Sequence, residues 1–291
     1  MKKILSTSIQ TIFLATFMFL LFSNSSAPVV QEFSIFEAMN NKSITATFES
    51  IGKYSGNSVH SKIINNTSKD IKILVPAGTI YIPENDEEQT LIQLEDDFIV
   101  LHKRETINHR FSGFCTESND LVPSNQNTMT IAHNQNPKLK KMIHYMKGKS
   151  IDRGAYQDAV WSITDNQNVS NIYGENSETE SFKDYLLTLT GQKKEWYSSP
   201  QHVSVSEGRI VRETTLITGK LDFDCAKGTN VYQDIHKQNG DDVHVSDKYM
   251  TAKYGKVTYT FTLKVRGWEE GKYYIRLHDG ANEITRYYFE V

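Results

Sequence analysis

Val257-Thr258-Tyr259-Thr260-Phe261-Thr262-Leu263-Lys264-Val265 alternates apolar and polar side chains without interruption. Successive side chains of a strand point to opposite faces, so this spacing predicts a strand with one buried and one solvated face. The neighbouring sequence extends the same reading. Strands are expected at Arg209 to Thr218, Lys220 to Asp224, Asn230 to Ile235, Gly271 to Leu277 and Ile284 to Val291, with turns at Gln238-Asn239-Gly240-Asp241 and His278-Asp279-Gly280. Short strands punctuated by Asn, Asp and Gly predict a β-sandwich over 208–291.

The first half has the same rhythm. Ile44 to Phe48, Val59 to Ile63, Ile71 to Val75, Thr79 to Ile82, Thr90 to Leu94 and Phe98 to Leu101 are short apolar or alternating runs. Turn signals such as Asn65-Asn66 and Pro76-Ala77-Gly78 separate them, which suggests an antiparallel sandwich. The acidic runs Glu84 to Glu88 and Glu95 to Asp97 lack the regular oxygen-ligand spacing of a calcium loop and read as a solvated face. Glu117 to Asn136 reads as polar loop.

Helical periodicity then takes over. Leu139, Met142, Ile143 and Met146 share one face of a helix capped by Asn136 and stopped by Gly148. A second helix is expected from Asp152, its cap, through Tyr156, Ala159, Val160 and Ile163, and a third carries Phe182, Tyr185, Leu186 and Leu189 up to Gly191. The expected fold is therefore mainly β: an α+β domain over 28–200, a β-sandwich with a helical insertion, followed by an immunoglobulin-like sandwich.

The chain opens with Lys2 and Lys3, an apolar run from Ile9 to Phe22, and small residues to Ala27, the layout of a secretory signal peptide over 1–27. Its removal takes the net charge from −3 to −5, which speaks against a nucleic-acid partner. No later apolar stretch is long enough for a membrane span, so the expected product is secreted or on the cell surface. The nine His residues show no metal-ligand spacing, and no Gly-x-Ser-x-Gly elbow or phosphate loop is present. No cofactor and no enzymatic turnover are expected, and the expected partner is an extracellular protein or glycan. Trp196, Tyr197 and Trp268 offer a carbohydrate platform, weighed against ordinary core packing.

The chemistry rests on Arg153-Gly154-Ala155-Tyr156-Gln157-Asp158-Ala159-Val160-Trp161-Ser162-Ile163-Thr164-Asp165-Asn166, read with Phe114-Cys115 upstream. Helical spacing carries the Gln157 amide beside Trp161 at the edge of the apolar stripe, where it needs a partner. An aromatic-Gln-x-x-aliphatic-aromatic motif following a Phe-Cys pair resembles the bacterial surface thioester domains. That resemblance covers about Cys115 to Thr164 and implies an internal thioester between Cys115 and Gln157, supported by Tyr156 and Trp161, for covalent adhesion to partner amines. More weakly, 231–240, Gly271 to Ile275 and the last strand resemble type IX secretion sorting domains.

Two readings of the cysteines stay open. In an oxidising compartment Cys115 and Cys225 would form a structural disulfide, leaving a noncatalytic extracellular binding module. If Cys225 is core, Cys115 is free for the thioester.

Overall fold

A computed structural model describes residues 30–245 and 248–291; the leader expected over 1–27 lies outside them. The described residues are mainly β, with 44% strand against 17% helix.

It begins with β1 (Gln31–Ser34) and the short helix α1 (Ile35–Asn40), capped by the Ser34 hydroxyl. Then follow β2 (Ile44–Ser50), β3 (Asn57–Asn65), β4 (Ile71–Val75), β5 (Thr79–Pro83), β6 (Leu91–Ile92), β7 (Asp97–Leu101), β8 (Thr106–Ser112), β9 (Phe114–Cys115) and β10 (Thr128–His133). One sheet runs β8-β3-β2-β10-β5-β6-β9, and a smaller one runs β1-β4-β7. The smaller sheet is mixed, since β1 pairs β4 in parallel. Ile71, Ile73, Val75, Ile99 and Leu101 alternate inward from it against Phe48, Val59, Ile63, Tyr81 and Phe111, forming the first core. The polar reading of 117–136 missed β10. Its alternation is partial, with Met129 buried, and its pairing to β2 and β5 places it inside the larger sheet.

Glu88 departs from the expected solvated face. It is buried and accepts from Ser124 N and Oγ and Asn127 Nδ2, tying the loop after β5 to the loop before β10.

The helices are α2 (Pro137–Met146), α3 (Tyr156–Thr164) and α4 (Ser177–Thr190). Asn136 caps α2 as read, and Asn176 caps α4, which ends at Gly191 with φ 81°. Asp152 does not cap α3. A 3₁₀ turn intervenes, and the Asp152 carboxylate instead accepts from Asn176 Nδ2, Thr179 Oγ1 and Glu175 N. The three helices bury Leu139, Met142, Tyr156, Val160, Phe182 and Leu186 with Ile92 and Phe114 in a second core.

A third core draws on β11 (Tyr197–Ser198) and, beyond the hairpin β12 (Gln201–Ser206) and β13 (Arg209–Thr214), on β14 (Leu216–Asp224), β15 (Asn230–Lys237), β16 (Asp242–His244), β17 (Tyr249–Thr251), β18 (Lys256–Lys264), β19 (Lys272–His278) and β20 (Glu283–Glu290). β11-β14-β18 faces β16-β15-β19-β20 across Leu221, Phe261, Ile235, Ile275 and Phe289. In β18, Phe261 is buried and the intervening Thr258, Thr260 and Thr262 are exposed, as the alternation requires.

Gly208, read as the start of this part, is in the turn of the β12–β13 hairpin, whose Glu207 and Gly208 both have positive φ. That is the two-residue turn whose twist suits a hairpin. One face of the hairpin sends Val203 and Ile210 onto the first core, so the hairpin belongs to the junction between the two sandwiches.

Candidate functional site

Phe114 and Cys115 are adjacent in β9 and point to opposite faces, Phe114 into the helical core and Cys115 into the first sandwich. Helix α3 does the same one level above. Val160 joins the helical core while Trp161, fully buried, joins the sandwich. The helix thus crosses the end of the larger sheet and sets Gln157 over Cys115.

Two reciprocal hydrogen bonds fix that placement. Cys115 N–H donates to Gln157 Oε1 at 3.1 Å, and Gln157 Nε2 donates to the Cys115 carbonyl at 2.8 Å. Cys115 N–H also donates to the Tyr54 carbonyl at 2.9 Å. The partner that the amide needed is therefore the cysteine backbone. A second clamp acts at the far end of α3, where Ser118 N–H donates to Asp165 Oδ2 at 2.9 Å. Before the cysteine, Gly113 N–H donates to Ser58 Oγ at 3.0 Å and Ser58 Oγ donates back to the Gly113 carbonyl at 3.1 Å. A Cβ at Gly113 would stand 2.8 Å from Ser58 Oγ, so this approach is open to glycine alone.

Water has little access. Cys115 is fully buried and Gln157 is 8% exposed. Tyr54 stacks on Trp161 at 6.2 Å, the Arg212 guanidinium sits 5.5 Å over the same indole, and Tyr156 packs edge-on to Phe114. The tip of the β12–β13 hairpin is pinned to the segment after Cys115, with Val122 N–H donating to the Gly208 carbonyl and Arg209 Nη1 to the Asn119 carbonyl.

The electrostatics keep the thiol neutral. Burial pushes the Cys115 thiol well above its ordinary value, and the Glu117 and Asp165 carboxylates add to the shift. Burial also raises Glu117, against the bonds it accepts from Thr116 and Thr90. The Asp158 carboxyl is pushed up to about 7 by burial, with the Arg212 charge opposing. Tyr156 donates to Glu95 Oε1 at 3.0 Å, and its hydroxyl is pushed up to about 12 by burial and by that carboxylate.

Chemically, this is a carboxamide with a hydrogen-bond donor on its oxygen, held against a cysteine in a dry site. An addition at the Gln157 carbonyl carbon would develop charge on Oε1, where the Cys115 N–H already donates. A neutral product would suit surroundings that disfavour thiolate.

Cys225 takes no part. Both cysteines are free, with Cys225 packed against the third core and Cys115 in the first, so the alternative reading of a Cys115–Cys225 disulfide is not met. The aromatic platform is not assembled either. Trp196 and Tyr197 pack with Phe261, Tyr287 and Phe289, whereas Trp268 packs on Tyr273. Among the described residues no cluster of His, Cys, Asp and Glu could hold a metal ion, and no helix is long and apolar enough to cross a membrane.

The motif reading missed Tyr54 and Arg212. Tyr54 is in an irregular loop and Arg212 in a hairpin far downstream, and neither carried a local signal. Asp158 and Asp165 were inside the quoted stretch but had no role there. No family model matches this chain, and no curated protein matches it.

Proposed function

We propose that this is an exported or cell-surface attachment protein in which Cys115 and Gln157 form an internal thioester that captures amines. The observation that carries the reading is the reciprocal pair of hydrogen bonds between the Gln157 carboxamide and the Cys115 backbone in a site closed to water.

In the closing step the Cys115 sulfur bonds to the Gln157 carbonyl carbon, the C–N bond breaks, and the thiol proton leaves with the amide nitrogen as ammonia. In the capture step a partner amine bonds to the same carbon, and the sulfur departs as the thiol, regaining a proton from the amine. Both steps balance without oxidant or cofactor. Holding the groups in one geometry replaces the activation that a low thiol pKa would give. Trp161, Tyr54 and the hairpin shield the bond from hydrolysis. Export rests on the Lys2, Lys3 and apolar leader.

Intact mass of the purified protein tests this. A mass lower by one ammonia, mapped to a Cys115–Gln157 cross-link, is expected, together with covalent methylamine uptake that Cys115→Ala and Gln157→Ala each abolish. Equal methylamine uptake by wild type and both variants, or a full mass with two free residues, refutes the thioester.

A further inference from the structure

A concavity lies where the segment after α3, the β12–β13 hairpin and the C-terminal sandwich meet. It encloses about 600 Å³, within the range of small-molecule sites, and its walls include Gln167, Gln201, Arg212, Glu213, Trp268 and Glu270.

Four polar atoms in these walls are buried without a hydrogen-bond partner: Gln167 Nε2 and Oε1, Gln201 Oε1 and Arg212 Nη1. A buried unpaired polar group costs about 1–3 kcal/mol, so four in residues around one cavity mark side chains that gain partners by turning toward a bound ligand. Two are donors and two are acceptors. Hydroxyl groups both donate and accept, so a ligand rich in them answers such a set.

Charge narrows the class. An anion drawn to Arg212 would face Glu270, while a cation drawn to Glu270 would face Arg212. The remaining carboxylate, Glu213, is already occupied by Arg266 Nε at 3.1 Å and Gly267 N–H at 2.9 Å. Trp268 adds an aromatic wall suited to the apolar face of a sugar ring. We infer that this cavity is a binding site for a neutral saccharide of about two rings, with Gln167 and Gln201 reading its hydroxyl groups. The inference stands apart from the thioester: none of its recognition residues belongs to the Cys115–Gln157 pair.

The test uses the mature protein with maltose, lactose, cellobiose and N,N′-diacetylchitobiose, and with galacturonic acid and glucosamine as charged comparators. Saturation-transfer NMR detects binding and calorimetry measures it. At least one neutral disaccharide is expected to bind with Kd below about 5 mM, and Gln167→Leu to weaken it about ten-fold or more. Gln201→Leu, on the hairpin, serves as the second variant should Gln167→Leu misfold by near-UV circular dichroism. Cys115→Ala should bind the sugar as wild type does. Absence of neutral-sugar binding at about 20 mM, preference for a charged comparator, or affinity unchanged in a folded variant overturns the assignment.

Discussion

Methylamine opening offers the sharpest quantitative check on the thioester. The bond would join residues 42 positions apart in sequence. In the chain-entropy account used for disulfides, closing a loop of that size removes unfolded-state freedom worth about 4 kcal/mol. Methylamine exchanges this cross-link for an N-methyl amide at Gln157 and a free thiol at Cys115, leaving the surrounding packing in place. Treated protein should therefore lose about 4 kcal/mol, a fall of about 1–2 M in the urea midpoint for the first sandwich. Urea unfolding followed by tryptophan fluorescence, with intact mass on the same samples, measures both quantities. Cys115→Ala, which has no cross-link to open, should show the same midpoint with and without methylamine. A wild-type protein whose mass records uptake while its midpoint stays fixed would refute the loop-closure reasoning. Unchanged mass and midpoint together would refute the bond itself.

Other outcomes follow from single residues. Burial raises the Asp158 carboxyl to about 7, so between about pH 4 and 7 the folded protein keeps a proton that the unfolded chain has released; stability then falls as pH rises through that window, by on the order of 2–4 kcal/mol. Asp158→Asn should flatten that slope in pH-dependent urea titrations, and an unchanged slope would count against the burial. Gly113→Ala places a Cβ 2.8 Å from Ser58 Oγ and 3.0 Å from Leu91 Cβ, which should cost about 1–3 kcal/mol and lower the yield of methylamine capture. In the other sandwich, Asp234 is buried against Arg276 at 2.6 Å and His278 at 2.9 Å. Asp234→Ala should destabilise that sandwich by about 3–5 kcal/mol by calorimetry while amine capture persists.

The strands of both sandwiches were readable where one face is core and the other solvent, as in Val257 to Val265 and Ile71 to Val75. β10 escaped because its partners on both sides, not its own pattern, make it a strand. Helix α2 was legible down to its cap, since Asn136 and Pro137 are local signals. Asp152 misled because the same carboxylate that can cap a first turn can also bridge to Thr179 and Asn176, and only the tertiary fold decides between them. At the site, Cys115 and Gln157 stood out by residue type and by the short motifs around them. Their shielding did not, because Tyr54 and Arg212 arrive from distant segments with no periodicity of their own. The free state of both cysteines depends on which core each one enters, a property of topology.

The hairpin has a mechanical consequence. If Gln157 carries the bond to a partner, tension between that partner and the C-terminal sandwich runs along the chain through α3 and α4 to β11, whose Tyr197 and Ser198 pair with Gly219 and Thr218 of β14, and it reaches the β12–β13 hairpin only once that short pairing yields. Load enters the hairpin at Gln201 and leaves at Thr214, which are paired neighbours. Pulled from one end, the ladder unzips a pair at a time instead of shearing as a block. Its mouth is held by Thr215, whose N–H and Oγ1 both donate to the Pro200 carbonyl at 3.0 Å. Once those two bonds yield, the hairpin pays out about 45–50 Å of chain. The segment that seals the site would thereby act as an extensible tether, lengthening after β11 has left its edge but before the central strands of either sandwich are strained.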